Sequence, residues 1–311
     1  MAPWVDWATY SNALQRLLGG ASPYDPRQLS GPYRLLDMST GGAFGYAYPP
    51  ASLLLFMPFG SQPVGLCLWL ALNIGLLASG VFAILRRELG NDAVLYLGVA
   101  ILPVILWVGF IEGAMARNVT VGLSGLLAWS WALGRGRTSP VAIAVIGIAK
   151  IFPATLLFWT TPSRLFRSLL TAGLIAGAWI LVTLPIVRVE FWVDFFRSMG
   201  NVQPNCESYG SSVTCILQPV LGITLAKMAA VCLAGAIGLG AVFVRKDLLA
   251  FMMVALSWVI PAYNQSYYSM LPLFVVWVAV FAVWMRRLRS IEVGPPPIAL
   301  RRLLSGNRGR I

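Results

Sequence analysis

Histidine is absent from this chain of 311 residues. That removes the commonest general base and the commonest metal ligand. Charge is scarce too: Asp, Glu, Lys and Arg make up 11% of the residues, where a soluble domain carries about 25%. Hydrophobic residues reach 58%, and the mean hydropathy is +0.77. So few polar side chains cannot cover a water-facing surface, and the surrounding solvent is therefore lipid. Cysteine is limited to Cys67, Cys206, Cys215 and Cys232, with no tetra-cysteine zinc pattern. No GxxxxGKS, GxxxxGKT or GxGxxG phosphate loop follows a strand. The short alternating segments of a membrane β-barrel are missing, which leaves helices as the spanning elements. There is no internal repeat and no second soluble domain.

What is present is a series of apolar runs, several longer than the ~20 residues that cross a bilayer core. Hydropathy and flanking charge predict helices at 63–85, 92–111, 118–134, 168–187, 221–244, 248–262 and 267–285. A shorter apolar helix is expected at 50–59. The expected fold class is all-α: a polytopic integral membrane protein with about seven full spans. Residues 1–285 form one membrane domain, and 286–311 a basic, disordered cytoplasmic tail attracted to anionic lipid. The net charge of +12 would suggest nucleic acid in a soluble protein. Here the basic residues sit in short clusters between apolar runs, which reads as topology, with membrane lipids and not nucleic acid as partners.

Those clusters are Arg86–Arg87, Arg135 with Arg137, Arg164 with Arg167, Arg245–Lys246 and Arg286 to Arg289. The positive-inside rule puts them all in the cytoplasm. The segment 139–161 then has both flanks inside. A pair of half-helices broken around Lys150–Pro153 meets that condition, because proline removes a backbone donor and ends a helix. Residues 1–50, 112–117, 188–220 and 263–267 come out on the outer side. Of the 11 acids, Asp6, Asp25, Asp37, Glu112, Glu190, Asp194 and Glu207 fall there. An outside N-terminus either translocates unaided or follows a first membrane helix missing from this start; the second is the expectation. Cys206 and Cys215 share one outer polar loop and can pair in an oxidising compartment. Cys67 and Cys232 are expected as small packing residues.

Asp6 opens VDWATYSNALQRLL, a short amphipathic helix lying on the membrane surface. It can serve as the N-cap, as a catalytic carboxylate, or as both. Tyr24, Tyr46 and Tyr48 lie in Pro- and Gly-rich turns and either stack on a sugar or pack at the lipid interface. Lys150, at membrane depth beside a helix break, is the sharpest candidate cation; snorkelling or a carbonyl partner is its structural alternative. Arg117 precedes Asn118 at a helix start and can equally pair with Glu112. Lys227 lies near a helix end, where snorkelling is as good a reading. Arg188 and Arg197 flank Glu190 and Asp194 on what reads mainly as a solvated face. The Cys206–Cys215 loop is either a lid or a stapled loop.

The order of motifs resembles glycosyltransferase family 87, of the C-type glycosyltransferase superfamily. The carrying residues are Asp6-x-x-x-Tyr10, the Ser22–Asp25 tetrapeptide SPYD, and Tyr48-Pro-Pro followed by LLLFMP. Residues 115–158 are similar to that family's Gly-Gln/Asn element and its small-residue helix ending in Lys150-x-x-Pro153. The resemblance covers residues 4–285. Two departures stand out: no membrane helix precedes Asp6, and the late loop 261–268 reads PAYNQSYY where many relatives carry a histidine.

The resemblance implies a membrane enzyme that moves a hexose, mannose or a similar sugar, from an undecaprenyl- or decaprenyl-phosphate carrier. The acceptor is a glycolipid or cell-envelope glycan at the outer face of a bacterial plasma membrane. Asp6 is the implied base. Lys150, Arg117 and Arg197 are the implied phosphate ligands. Tyr10, Tyr24, Asp25, Tyr48, Asn118, Tyr263 and Gln265 shape the acceptor and sugar pocket. No cofactor is implied, although Asp6 with Asp25 leaves a divalent metal open. The rival readings are a transporter or lipid flippase, and a non-catalytic envelope assembly factor. The first accounts less naturally for a long acidic outer loop, and the inverted repeats common in transporters are not found.

Overall fold

A computed structural model describes residues 5–24, 46, 48–60, 63–105, 118–201, 213–260 and 266–292. Among them the regular elements are all helical. Helix α1 spans Val5–Leu18. A short apolar turn follows, with Pro50–Ser52 in 3-10 form, α2 at Leu53–Phe56 and a second 3-10 turn at Met57–Phe59. Then come α3 (Pro63–Leu89), α4 (Ala93–Ile105), α5 (Thr120–Leu133) and α6 (Pro140–Ala149). A 3-10 stretch, Phe152–Phe158, leads to α7 (Pro162–Thr183) and α8 (Val189–Asn201). The chain ends in α9 (Val213–Phe243), α10 (Asp247–Val259) and α11 (Ser266–Glu292).

Four segments are long and apolar enough to cross a membrane: Val64–Leu102, Pro162–Thr183, Val213–Phe243 and Leu271–Ile291. The first contains α3 and α4, joined at Gly90–Asp92. This differs from the seven full spans expected. Helices α5 and α10 have 14 and 13 residues, or ~20 Å of rise, against a ~30 Å hydrocarbon core. α5 starts late because Asn118 Oδ1 takes the Thr120 N–H. The expected helix 92–111 is described over Ala93–Ile105, and its remainder lies outside the described residues. α7 starts six residues earlier than expected because Pro162 sits in its first turn, where a missing N–H costs nothing. α9 also starts early and absorbs Cys215, with a kink at Gly222 (φ 71°) just past Pro219.

The closest helix pair is α3 against α5. A Cβ on Gly125 would lie 2.4 Å from the Leu76 carbonyl carbon and oxygen, and one on Gly122 2.4 Å from Asn73 Oδ1. Glycine lets the two backbones touch, the usual route to tight packing in lipid, where apolar contact alone gives no preference for protein over solvent. Asn73 uses the approach: its Oδ1 accepts from the Gly122 N–H at 2.9 Å, and its Nδ2 donates to the Trp69 carbonyl.

The break expected near Lys150 is present. α6 stops at Ala149, and Lys150 is extended (φ −160°, ψ 125°). Had the helix continued, the Pro153 ring would have met the carbonyl of residue 149, four positions back. The chain instead turns through the 3-10 stretch and comes back to where it started. Gly136 N–H donates to the Trp159 carbonyl at 3.1 Å, and Trp159 Nε1 to the Ser130 carbonyl at 2.9 Å. The two arms therefore enter and leave at one end of the bundle, with Lys150 at the tip.

The basic clusters gather at that same end, as structure rather than as loose surface charge. Arg135, with a side chain only 9% exposed, donates to the carbonyls of Ala241, Val242 and Val244 and to Thr160 O. It thereby satisfies orphan carbonyls at the close of α9. Glu88 is buried, receives Trp131 Nε1 at 3.1 Å and pairs with Arg286 at 2.5 Å and Arg87 at 3.5 Å. Arg289 pairs with Asp92 and lies over the Tyr96 ring. Arg286 and Arg289 belong to α11, which runs to Glu292, so the basic tail expected from residue 286 begins inside a helix. Cys67 and Cys232 are exposed free thiols on apolar helices rather than packing residues.

Gly125→Ala should destabilise the protein by roughly 1–3 kcal/mol through forced separation of α3 and α5. Gly98→Ala, where a Cβ meets nothing within 4 Å, should not destabilise it. Thermal unfolding of the two variants in detergent distinguishes them.

Candidate functional site

The end of the bundle away from Arg87, Arg135 and Arg286 holds a cluster of polar groups around one tyrosine. Tyr48 follows the first loop and is anchored by the turn of Pro49–Ser52. Tyr46 and Ser52 share a hydrogen bond there, and Ser52 Oγ donates to the Pro49 carbonyl at 2.7 Å. α1 reaches Tyr48 from above: Tyr10 stacks on Phe56 at 4.5 Å and donates its hydroxyl to Tyr48 Oη at 3.2 Å. Asn118, at the entry to α5, donates Nδ2 to the same oxygen at 3.0 Å. Its Oδ1 accepts from Thr120 N–H at 2.8 Å and Thr120 Oγ1 at 2.6 Å. Lys150 Nζ donates to Thr120 Oγ1 at 3.0 Å and lies 5.6 Å from the centre of the Tyr48 ring.

Five residues from four parts of the chain thus meet in one hydrogen-bonded run: Lys150, Thr120, Asn118, Tyr48 and Tyr10. Its depth follows from helix length. α5 rises ~20 Å between Thr120 and the arginine end, so the cluster lies within the thickness of a ~30 Å core. An ammonium at that depth is costly unless it is solvated by the protein. Thr120 and the negative face of the Tyr48 ring provide part of that solvation.

A second tie binds the first loop to α8. Ser22 Oγ donates to Asp194 Oδ2 at 2.7 Å, and Tyr24 donates to the Tyr48 carbonyl at 2.5 Å. The Tyr24 ring lies against Tyr46 and Phe195. Burial pushes the Tyr24 phenol above its ordinary pKa, helped by the neighbouring Tyr46 and the Asp194 carboxylate. Burial pushes Tyr46 up as well, against the opposing hydrogen bond from Ser52. Both phenols stay neutral at any useful pH.

Of the residues singled out from the sequence, Tyr10, Tyr24, Tyr48, Asn118 and Lys150 come together. The tyrosines do so as packed scaffold rather than as an open platform for a sugar: Tyr10 is 1% and Tyr48 7% exposed. Arg197 is not in the cluster. It is exposed and pairs with Asp194 at 3.7 Å one turn away on α8. Asp6 lies in the first turn of α1, one residue past its start at Val5 and one turn before Tyr10. It is inside the helix rather than at the cap, and its side chain is outside the described set. Asp25, Arg117, Tyr263, Gln265 and Cys206 also lie outside the described residues. Cys215 is disulfide-bonded and its expected partner is Cys206. Lys227 is half-buried on α9.

Thr120 is the site residue the sequence reading passed over. Its signal was an asparagine two positions earlier at a helix start, the spacing of an Asx turn. Ser22 and Asp194 were likewise not joined, because they are far apart in sequence.

A family model described as glycosyltransferase family 87 matches residues 46–304. No curated protein and no solved structure matches the chain.

Tyr24→Phe and Tyr46→Phe should leave the amplitude of tyrosinate absorbance at pH ~10 unchanged, since both phenols titrate above the ordinary value of ~10. A drop in that amplitude in either variant would show an exposed phenol instead.

Proposed function

The chain belongs to glycosyltransferase family 87, and on that premise we propose how this membrane glycosyltransferase works. Its donor is a polyprenyl-phosphate hexose, undecaprenyl- or decaprenyl-linked, with mannose as the first choice. The acceptor is a hydroxyl of a glycolipid or cell-envelope glycan. The fold is C-type. The reaction takes place at the outer face of a bacterial plasma membrane, opposite the arginine-rich end of the bundle, as the positive-inside rule requires.

One observation carries this reading. Lys150 sits at a helix break within the membrane and is tied through Thr120, Asn118 and Tyr48 to Tyr10 on the helix that bears Asp6. A carboxylate-bearing helix and an intramembrane cation are thus held by one network. Transfer of a sugar from a phosphate needs both kinds of group. The Asp6 carboxylate takes the proton of the acceptor hydroxyl. The oxygen so activated attacks the anomeric carbon from the side opposite the phosphate. The carbon–oxygen bond to the phosphate breaks with inversion, and its electron pair stays on the phosphate. The Lys150 ammonium meets that developing charge in a low-dielectric site, where it counts most. Arg117, which immediately precedes Asn118 in the sequence, is the second phosphate ligand of this proposal. The carrier brings its own hydrophobic anchor, so no nucleotide pocket is needed.

The test is transfer of labelled mannose from decaprenyl-phosphate mannose to endogenous acceptors in washed membranes. Asp6→Asn should lower the rate by about 10²- to 10⁴-fold, the range of general-base loss. Lys150→Ala should lower it by about 10²- to 10³-fold. Wild-type rates in both variants would favour a transporter or an assembly factor. Mass spectrometry without reduction should find Cys206 joined to Cys215 while Cys67 and Cys232 alkylate freely. Four free thiols in native membranes would count against an outward-facing loop.

A further inference from the structure

Helix α8 (Val189–Asn201) has three sides rather than the usual two. Residues three and four apart share a helix face. Phe191 and Phe195 make one side, and both are buried, as is Val187 just before the helix. This side packs on the first loop. The Phe195 ring lies 5.8 Å from the Tyr24 ring, and Asp194, at the border, accepts from Ser22 Oγ at 2.7 Å. Glu190, Asp194 and Arg197 make a second, charged side. Val189, Val193 and Phe196 make the third. It is apolar and open, with these residues 64%, 51% and 64% exposed.

Length and charge restrict where such a helix can sit. Its 13 residues rise ~20 Å, too little to cross a ~30 Å core. A dip into the core would take the Glu190, Asp194 and Arg197 side out of water, at high cost. In water alone, the third side would leave a contiguous apolar stripe uncovered. Helix α7 fixes the level. Arg164 in its first turn donates to the Gly136 carbonyl at the arginine end. From there its 22 residues rise ~33 Å, a full crossing. After the connection at 184–188, α8 therefore begins at the opposite membrane surface. The exposed apolar residues run on in chain order across that connection. They are Leu181 and Val182 on α7, Ile186 between the helices, then Val189, Val193 and Phe196.

We propose that α8 is an interfacial anchor. Val189, Val193 and Phe196 insert between acyl chains at the membrane surface opposite the arginine end, and Glu190 and Arg197 face water. The partner is the lipid surface itself, and burial of the apolar stripe drives the insertion. The packed side of α8 extends the effect. Phe195 and Asp194 hold Tyr24 and Ser22, so the first loop is fastened to an element whose depth the lipid sets.

The experiment places nitroxide labels on single-cysteine variants of the full chain, in vesicles of phosphatidylglycerol and phosphatidylethanolamine. The free thiols are removed first by Cys67→Ser and Cys232→Ser. Labels on Val189→Cys, Val193→Cys and Phe196→Cys should collide with oxygen, which concentrates in lipid, several-fold more often than with a water-soluble nickel chelate. Their depth should be about 5–10 Å into the headgroup and acyl boundary. Labels on Glu190→Cys and Arg197→Cys should show the reverse preference. Combining Val193→Asp with Phe196→Asp should turn the label at position 189 to the nickel pattern. Thermal unfolding in detergent should not change in that variant, because both side chains are exposed. Nickel contact along the stripe equal to that at 190 and 197 overturns the proposal. Shielding of the stripe from both reagents also overturns it, since a second copy or another protein would then cover that face. So does an oxygen pattern at 189 that survives both aspartates.

Discussion

An ammonium group held at membrane depth has to be solvated by the protein around it, and that requirement organises this molecule. Lys150 reaches its depth only because α6 stops at Ala149 and the chain doubles back. It is tolerable there only because Thr120 turns an oxygen toward it and Tyr48 turns a ring face toward it. Thr120 is in place because Asn118 holds it by two hydrogen bonds. Asn118 in turn meets Tyr48, and Tyr48 meets α1. Remove the charge, and few constraints would keep four polar residues from distant parts of the chain in one apolar interior.

The two ends of the bundle use charge in different ways. At the arginine end the cations are spent on structure. Arg135 closes α9, Glu88 draws α11 onto α3, and Arg164 donates to the Gly136 carbonyl at 3.1 Å. These groups satisfy one another and leave little for a ligand. At the opposite end the acids and the lysine lie on separate elements: α1, α8 and the α6 break. The chain is a glycosyltransferase of family 87, and in the transfer from a phosphate donor proposed above that separation would set a base on one side of the reacting carbon and a cation on the other.

Much of this was legible in the residues. Helical membrane character followed from the scarcity of charge, and the break at Lys150 followed from one proline three positions on. Lys150 could be singled out as a charge at membrane depth beside a helix break, while Tyr10, Tyr48 and Asn118 were named through the resemblance to the family's motifs. What the sequence did not show was how they meet, because hydrogen bonds between Asn118 and Tyr48 span 70 positions and leave no periodic trace. Arg135 read as one more inside charge; its role as a cap on α9 depends on a helix end more than a hundred residues away. The start of α5 was placed two residues too early, because hydropathy does not register where a side chain such as Asn118 starts a helix late. Arg197 already read mainly as part of a solvated face with Asp194 three positions before it, and that pair is what forms; only the resemblance had implied a phosphate role for it.

The doubled-back arm also bears on how the polypeptide is made. At its tip the extended backbone of Lys150 interrupts the helical hydrogen bonding, and lipid cannot satisfy the groups so released. The arm cannot rest in the bilayer by itself as it leaves the insertion machinery. The helices its 3-10 stretch packs against include α9 and α10, which are made after it. The exit of the arm is secured later, once α9 has been synthesised and Arg135 has closed on it. The arm therefore waits, in chain order, for partners that leave the ribosome after it, and its tip is enclosed only once α9 and α10 have docked.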